Sequence, residues 1–169
     1  RNLTMLMDYY ELTMSNGYFE KGFKDKMVVF DMFYRKNPDN VGFVVSADLE
    51  QLIEYIENMH FSKEDIEFLE QGEFSEGFLQ YLADFKFTGN IDALPEGTIC
   101  YPNTPIVTVT APVIEAQLIE TMLLLTMNFQ SLIATKASRI CRTAAESVRL
   151  LWSLARDVHM VVMQRFLVQ

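Results

Sequence analysis

A chain of 169 residues, 50% hydrophobic and 22% charged, carries enough apolar material for one core, or for one domain and part of a second. Acidic residues outnumber Lys and Arg by 23 to 14, and the formal charge of -9 repels a phosphate backbone, which excludes nucleic acid as the first partner to expect. The 13 Phe and 7 Tyr need burying, which excludes low-complexity disorder.

The charge is unevenly placed. Residues 1–96 hold 19 acids and 8 bases, whereas residues 97–169 hold 4 acids and 6 bases. An acidic outer module followed by a more buried or more anion-tolerant portion fits this split. Cys100 and Cys141 are far apart and form no CxxC unit, so a reduced, cytoplasmic chain is the default reading. Segment 121–135 is uncharged but includes Asn128 and Gln130, and it falls short of the roughly 20 apolar residues of a membrane span, so it reads as a buried helix. The opening RNLTMLMDYYELTM lacks a basic region followed by an apolar run, so it does not read as a signal peptide.

In chain order, residues 8–20 have helical spacing with Asp8 as a start signal, and Asn16-Gly17 predicts a stop before Tyr18. MVVFDMFYR (27–35) reads as a strand, KNPDN (36–40) as a turn and GFVVSA (42–47) as a second apolar segment. DLEQLIEYIENM (48–59) is an amphipathic helix with Leu49, Leu52, Ile53 and Ile56 on one side. Ser62, followed by Glu64 and Asp65, predicts an N-cap for a short helix. Residues 74–85 give another helix, weakened by Gly77, and 86–111 read as a meander of two or three strands. The stretch from 27 to 111 is thus an α+β layer with helices over one face of a sheet. From Val113 to Ala145 no Pro or Gly interrupts the chain; the expectation is one long helix or a break at Asn128 to Ser131.

Few residues announce chemistry. No phosphate-binding GxxxxGK, no GxGxxG and no HExxH occurs, and His60 and His159 make no metal cluster. Asp8 and Glu11 share a helix face, a spacing found far more often in solvated pairs than in functional ones. Tyr9 and Tyr10 read from composition as core and rim aromatics. Arg35 and Lys36 flank a turn, and their plain reading is a solvated strand end; an anion-facing loop is the sharper one. Thr135, Lys136, Arg139 and Arg142 form a second cationic group, while Glu115 and Glu120 stand alone in an apolar helix and must face solvent, a partner or a cation.

The segments DYYELTM (8–14), FYRKNP (33–38), LEQ (49–51), FTGNIDALPEGT (87–98), YPNTPI (101–106), EAQLIET (115–121) and NFQSLIATKASRI (128–140) together resemble the N-terminal portion of nicotinate phosphoribosyltransferase. Met7 replaces a Thr of the family pattern, and Asp48 stands where a Gly is usual. The resemblance implies an α+β fold: the mixed α/β layer domain of a type II phosphoribosyltransferase (1–111), followed by the first helical part of an incomplete α/β barrel (112–149). It implies synthesis of nicotinate mononucleotide and pyrophosphate from nicotinate and phosphoribosyl pyrophosphate in NAD salvage, coupled to ATP hydrolysis through a phosphorylated His and assisted by Mg²⁺. It also implies a homodimer with composite sites. Tyr10 matches the Tyr that stacks on the pyridine ring across the interface, and Lys136 and Arg139 match a basic helix on the phosphate side. No membrane or nucleic-acid partner is implied.

The tail departs from the pattern. A run like MEFG…RRAHG is expected after about residue 143, yet the chain reads ESVRLLWSLARDVHMVVMQRFLVQ. Read from the third base of the Leu151 codon, codons compatible with this tail allow Met-Glu-Phe-Gly and then Arg-Arg-Ala-His-Gly. The hypothesis is that residues 150–169 are a frameshift product, so that His159 is not the family's catalytic His and Trp152 has no functional reading. Resequencing decides it: codons incompatible with the shifted reading sink the idea. On this basis the 169 residues are an incomplete enzyme without transferase activity of their own and without bound Mg²⁺ or ATP. The alternative is a non-catalytic α+β module that dimerises or binds a partner through its apolar 113–134 helix.

Overall fold

Strict alternation marks the central strand: in β5 (Val107–Pro112) Val107, Val109 and Ala111 are buried while Thr108 and Thr110 are half-exposed. One face of a sheet therefore packs inward. The computed structural model describes residues 2–37 and 41–145. The elements are α1 (Tyr9–Glu20), β1 (Met27–Met32), β2 (Val44–Val45), α2 (Leu49–Asn58), α3 (Lys63–Leu69), α4 (Glu76–Ala83), β3 (Asn90–Ala93), β4 (Ile99–Cys100), β5, α5 (Val113–Leu118) and α6 (Glu120–Ala145).

The order β1-β5-β3 is antiparallel throughout, with Met27 opposite Pro112, Met32 opposite Val107 and Asn90 opposite Thr110. β4 leaves that sheet to pair with β2, so residues 86–111 supply three strands but no meander. α5 follows β5 directly and is buried along all six residues, packed on the sheet and on α1. Phe78, Leu82, Ile114, Leu118, Ile119 and Met127 are almost completely buried in the core. Each such side chain contributes about 1.5–3 kcal/mol relative to an exposed one.

α1 does not stop at Asn16-Gly17. Asn16 Oδ1 accepts hydrogen bonds from Ser75 N at 3.2 Å and Ser75 Oγ at 2.9 Å, which commits the side chain to α4. The helix ends one turn later, where Gly22 has φ +73°, Phe23 N donates to Tyr18 O at 2.8 Å and Gly22 N to Phe19 O at 3.0 Å. That bond pair is the left-handed glycine cap of a helix C-terminus. The long helix also breaks elsewhere than expected. Its interruption is at Ile119, between α5 and α6, and α6 runs unbroken through Asn128 to Ser131. The polar residues there serve the neighbouring strand: Ser131 Oγ accepts from Ala47 N at 3.1 Å and Thr135 Oγ1 from Val45 N at 2.8 Å.

Ser62 caps α3 as its sequence announces, within a reciprocal box in which Ser62 Oγ accepts from Asp65 N at 3.2 Å and Asp65 Oδ2 from Ser62 N at 2.8 Å. In α2 Leu52 and Ile56 are buried, but Ile53 is 43% exposed, so the apolar stripe is narrower than the composition implies. The residue before α2, Asp48, has φ +73°, the region where a glycine costs nothing. Its place at the helix start is taken over by Glu96, whose Oε1 accepts from Leu49 N at 2.7 Å. Asp48→Val is therefore expected to lower stability by about 1–2 kcal/mol, with Asp48→Gly tolerated; equal urea midpoints for Asp48→Val and the parent would contradict this.

Candidate functional site

α1 brings three chemistry-bearing residues to its first turn, and they do not behave as a solvated rim. Asp8 occupies the N-cap position and is exposed, Tyr10 is 44% exposed, and Glu11 is completely buried. Tyr9 is 63% exposed and meets Phe74 edge-on, with ring centroids 5.9 Å apart. Neither tyrosine is a core aromatic, and the Asp8–Glu11 pair is half interior. Sequence spacing cannot separate these cases, because which side of α1 faces α5 and α6 is set by packing.

Glu11 reaches across to the start of α6. Its Oε1 accepts from Thr121 N at 3.0 Å and from Thr121 Oγ1 at 2.6 Å, and Asp8 N donates to Thr121 Oγ1 at 3.3 Å. A carboxylate from one helix thus occupies the capping role at the N-terminus of another, and it takes an N–H that an uninterrupted helix would direct to Gln117. This accounts for the break at Ile119. Glu11 Oε2 is buried with no hydrogen-bond partner, as is the Tyr55 hydroxyl. Burial pushes the Glu11 carboxyl up to about 7; the two bonds from Thr121 oppose this, and the charges of Glu120 and Asp8 add to it.

Glu120 Oε2 accepts from Gln117 Nε2 at 2.6 Å. The Tyr10 hydroxyl is pushed up to about 12, first by desolvation and then by Glu120, with Glu11 and Asp8 contributing further negative charge. The phenol is therefore neutral at any physiological pH and offers a flat, accessible ring. Gln117 and Thr121 were not singled out from the sequence. The signal was present: 117, 120 and 121 are polar at i, i+3, i+4 spacing in an otherwise apolar run.

Glu115 is 6% exposed and finds its partner within the fold, accepting from Thr88 N at 2.5 Å and Thr88 Oγ1 at 2.9 Å. Lys136 and Arg139 are exposed on α6, as is Arg142, whereas Thr135 is buried. Fifteen residues separate Lys136 from Thr121, about 22 Å along a helix, so a single chain does not bring the basic group to Tyr10. Arg35 and Lys36 are exposed after β1. His60 is exposed, with Nδ1 2.7 Å from Asn58 O. His159, Trp152 and the segment assigned to a frameshift lie outside the described residues. Among the described residues no group of three His, Cys, Asp or Glu side chains could hold a metal ion, and no helix is long and apolar enough to cross a membrane.

A family model described as nicotinate phosphoribosyltransferase (NAPRTase) N-terminal domain matches residues 5–128. Nicotinate phosphoribosyltransferase pncB2 of Mycobacterium tuberculosis (strain ATCC 25618 / H37Rv) is 39% identical over 141 residues, 83% of this chain and 30% of that protein. Nicotinate phosphoribosyltransferase of Bacillus subtilis (strain 168) is 39% identical over 150 residues, 88% of this chain and 31% of that protein. The crystal structure of human nicotinic acid phosphoribosyltransferase superposes with a TM-score of 0.75 at 29% identity, covering 80% of this chain and 28% of that one. A nicotinate-nucleotide pyrophosphorylase from Pyrococcus furiosus, at 22% identity and a TM-score of 0.64, shares the fold. The chain spans about 30% of the length of the curated relatives it matches. With residues 5–128 matched in register to the N-terminal domain, the chain belongs to the nicotinate phosphoribosyltransferase family.

Proposed function

We propose that this chain is the nicotinate-side portion of an enzyme that makes nicotinate mononucleotide and pyrophosphate from nicotinate and phosphoribosyl pyrophosphate, with ATP hydrolysis coupled to the transfer. The family match over residues 5–128 carries this reading. In it, residues 1–111 are the α+β domain, 112–149 the first helical part of an incomplete barrel, and 150–169 an out-of-frame tail. Tyr10 stacks on the pyridine ring, a role its exposed ring in the first turn of α1 supports. That stacking takes place across a homodimer, and Lys136 and Arg139 face phosphate groups, a reading supported by their exposure and their distance along α6 from Thr121. Among the described residues no group of three or more His, Cys, Asp or Glu side chains offers a ligand set for Mg²⁺.

Phosphoribosyl transfer needs the ring placed against the anomeric carbon, charge stabilisation on the departing pyrophosphate and exclusion of water. One aromatic platform and an exposed basic helix meet only the first of these in part. The 169-residue polypeptide is expected to form no nicotinate mononucleotide above a no-protein blank in a coupled assay, while the in-frame polypeptide restored by resequencing forms it. An active 169-residue chain, or an inactive restored one, contradicts the reading. One observation favours an association module as the second reading: Leu125, Phe129 and Leu132 of α6 are 52%, 57% and 39% exposed. A tight dimer by light scattering, with no heat on titration of nicotinate or phosphoribosyl pyrophosphate, would support that reading instead.

A further inference from the structure

Asn16-Gly17 is the only Asn-Gly step in the chain, and it lies inside α1 rather than in a turn. The helical ladder commits the Gly17 N–H to the carbonyl one turn earlier. The Asn16 side chain is committed as well. Its Oδ1 accepts from Ser75 N at 3.2 Å and Ser75 Oγ at 2.9 Å, and its Nδ2 donates to Glu20 Oε1 at 3.4 Å. Ser75 gives up a role of its own for this. It stands at the N-cap of α4 in extended conformation, yet its side chain makes no cap bond. One turn further on, Phe19 seats α1 on the same end of α4. It meets the rings of Phe78 and Tyr81 at centroid distances of 6.0 and 5.8 Å, and a Cβ at Gly77 would lie 3.1 Å from Phe19 Cε1. At Gly17, by contrast, nothing lies within 4 Å of an added Cβ, and a helical backbone does not need a glycine. What Gly17 supplies is an unhindered amide nitrogen next to an asparagine.

We propose that Asn16-Gly17 is a deamidation site gated by the α1–α4 contact, inert while α1 is docked and reactive when its second half opens. In the opened segment the Gly17 amide nitrogen attacks Asn16 Cγ. The Cγ–Nδ2 bond breaks, and Nδ2 leaves as ammonia with the proton given up by Gly17. Water then opens the resulting succinimide at either carbonyl, giving aspartate or isoaspartate. The docked helix forbids the attack, because the Gly17 N–H is held in the ladder and the two Ser75 bonds keep Oδ1 at α4. Conversion therefore reports the open population of α1 and not the exposure of Asn16. Either product places a carboxylate beside Glu20, and isoaspartate also adds a backbone atom inside α1. Reclosure is hindered, so a transient opening becomes a permanent one. The damage enters through the helix whose Glu11 tethers the start of α6.

The test is peptide mapping by mass spectrometry of the 169-residue chain, incubated at neutral pH in heavy-oxygen water either native or unfolded in urea. Label incorporation marks conversion during the incubation, and isoaspartate is read from its separate elution. In the unfolded chain Asn16 is expected to convert faster than every other asparagine. In the native chain it should convert at least about 10-fold more slowly than that. Ser75→Ala removes one of the two bonds on Oδ1 and should raise the native rate about 5-fold, with the unfolded rate unchanged. Gly17→Ala crowds the attacking nitrogen and should bring Asn16 in the unfolded chain down to the level of the other asparagines. The native and unfolded parent are compared without any variant, so the gate is tested even if Ser75→Ala does not fold. Equal rates in the native and unfolded parent overturn the proposal, as does an unlabelled Asn16 in the unfolded chain. So does a folded Ser75→Ala that converts at the parent's rate, or an unfolded Gly17→Ala that does.

Discussion

Replacing Gly89 by alanine is expected to cost about 3 kcal/mol of folding stability, the upper part of the range for an overpacked interior position. A Cβ at Gly89 would lie 2.4 Å from Ala111 Cβ, 2.8 Å from Phe87 Cζ and 2.9 Å from Thr110 O. Two of these obstacles belong to β5, the central strand, which cannot yield without disturbing its partners β1 and β3. Phe87 can swing; Thr110 O and the completely buried Ala111 cannot. The glycine is thus required by close approach of two chain segments rather than by an unusual backbone angle. Against a total stability of about 5–15 kcal/mol, the loss would lower the urea midpoint severely. Gly89→Ala combined with Ala111→Gly removes the 2.4 Å contact and should recover about half, because the carbonyl remains. Gly17→Ala is the control: nothing lies within 4 Å of a Cβ there, and the site is inside α1, so stability should rise by about 0.5–1 kcal/mol. A Gly89→Ala midpoint equal to the parent's would refute the argument.

Local chemistry was legible wherever it was complete within a few residues. Ser62 with Asp65 three positions on is a full capping box in four letters, and the structure contains it. Asn16-Gly17 looked equally complete but was not, because Ser75, 59 positions away, competes for the Asn16 side chain. The true stop, Lys21-Gly22, is just as visible in the sequence, and only the tertiary partner ranks the two. The Asn128 to Ser131 stretch was misleading for a similar reason. Its polarity read as a weak point of the helix, whereas Ser131 and Thr135 spend their hydroxyls on the β2 segment. β4 could not be assigned to a separate sheet from its sequence, since pairing with Val44 and Val45 is decided by long-range closure. At the candidate site, Lys136 and Arg139 stood out from their spacing as a cationic group, while their phosphate-side role and that of Tyr10 came from resemblance. The buried state of Glu11 came from neither, because an acid at i+3 from another acid looks solvated until its partner helix is known.

The pH dependence of stability should show the opposite sign from that of an ordinary ion-paired carboxylate, and Glu11 is the cause. Its folded-state pKa of about 7 lies above the unfolded value of 4.5, so between those pH values the folded chain keeps a proton that the unfolded chain releases. The stabilisation is complete below about pH 4.5 and is lost as pH rises through about 7. A shift of this size corresponds to about 3 kcal/mol between the two limits. The geometry says where the proton sits: Oε1 is occupied by Thr121 N and Thr121 Oγ1, and Oε2 has no partner. Glu11→Gln keeps a carbonyl oxygen for Thr121 and cannot ionise. It leaves an amide N–H without an acceptor, at a cost of about 1 kcal/mol. The variant should accordingly be slightly less stable than the parent at pH 5 and more stable, by about 1–2 kcal/mol, at pH 8. Other acids titrate in both proteins and cancel in the difference. Glu11→Leu separates capping from charge, because it strands the Thr121 N–H and hydroxyl at every pH and should be destabilising throughout. Urea unfolding of all three chains at pH 5, 6, 7 and 8 measures this directly. Parallel curves for parent and Glu11→Gln would mean that the buried carboxyl ionises normally, and that the α1–α6 tether is held by hydrogen bonding alone.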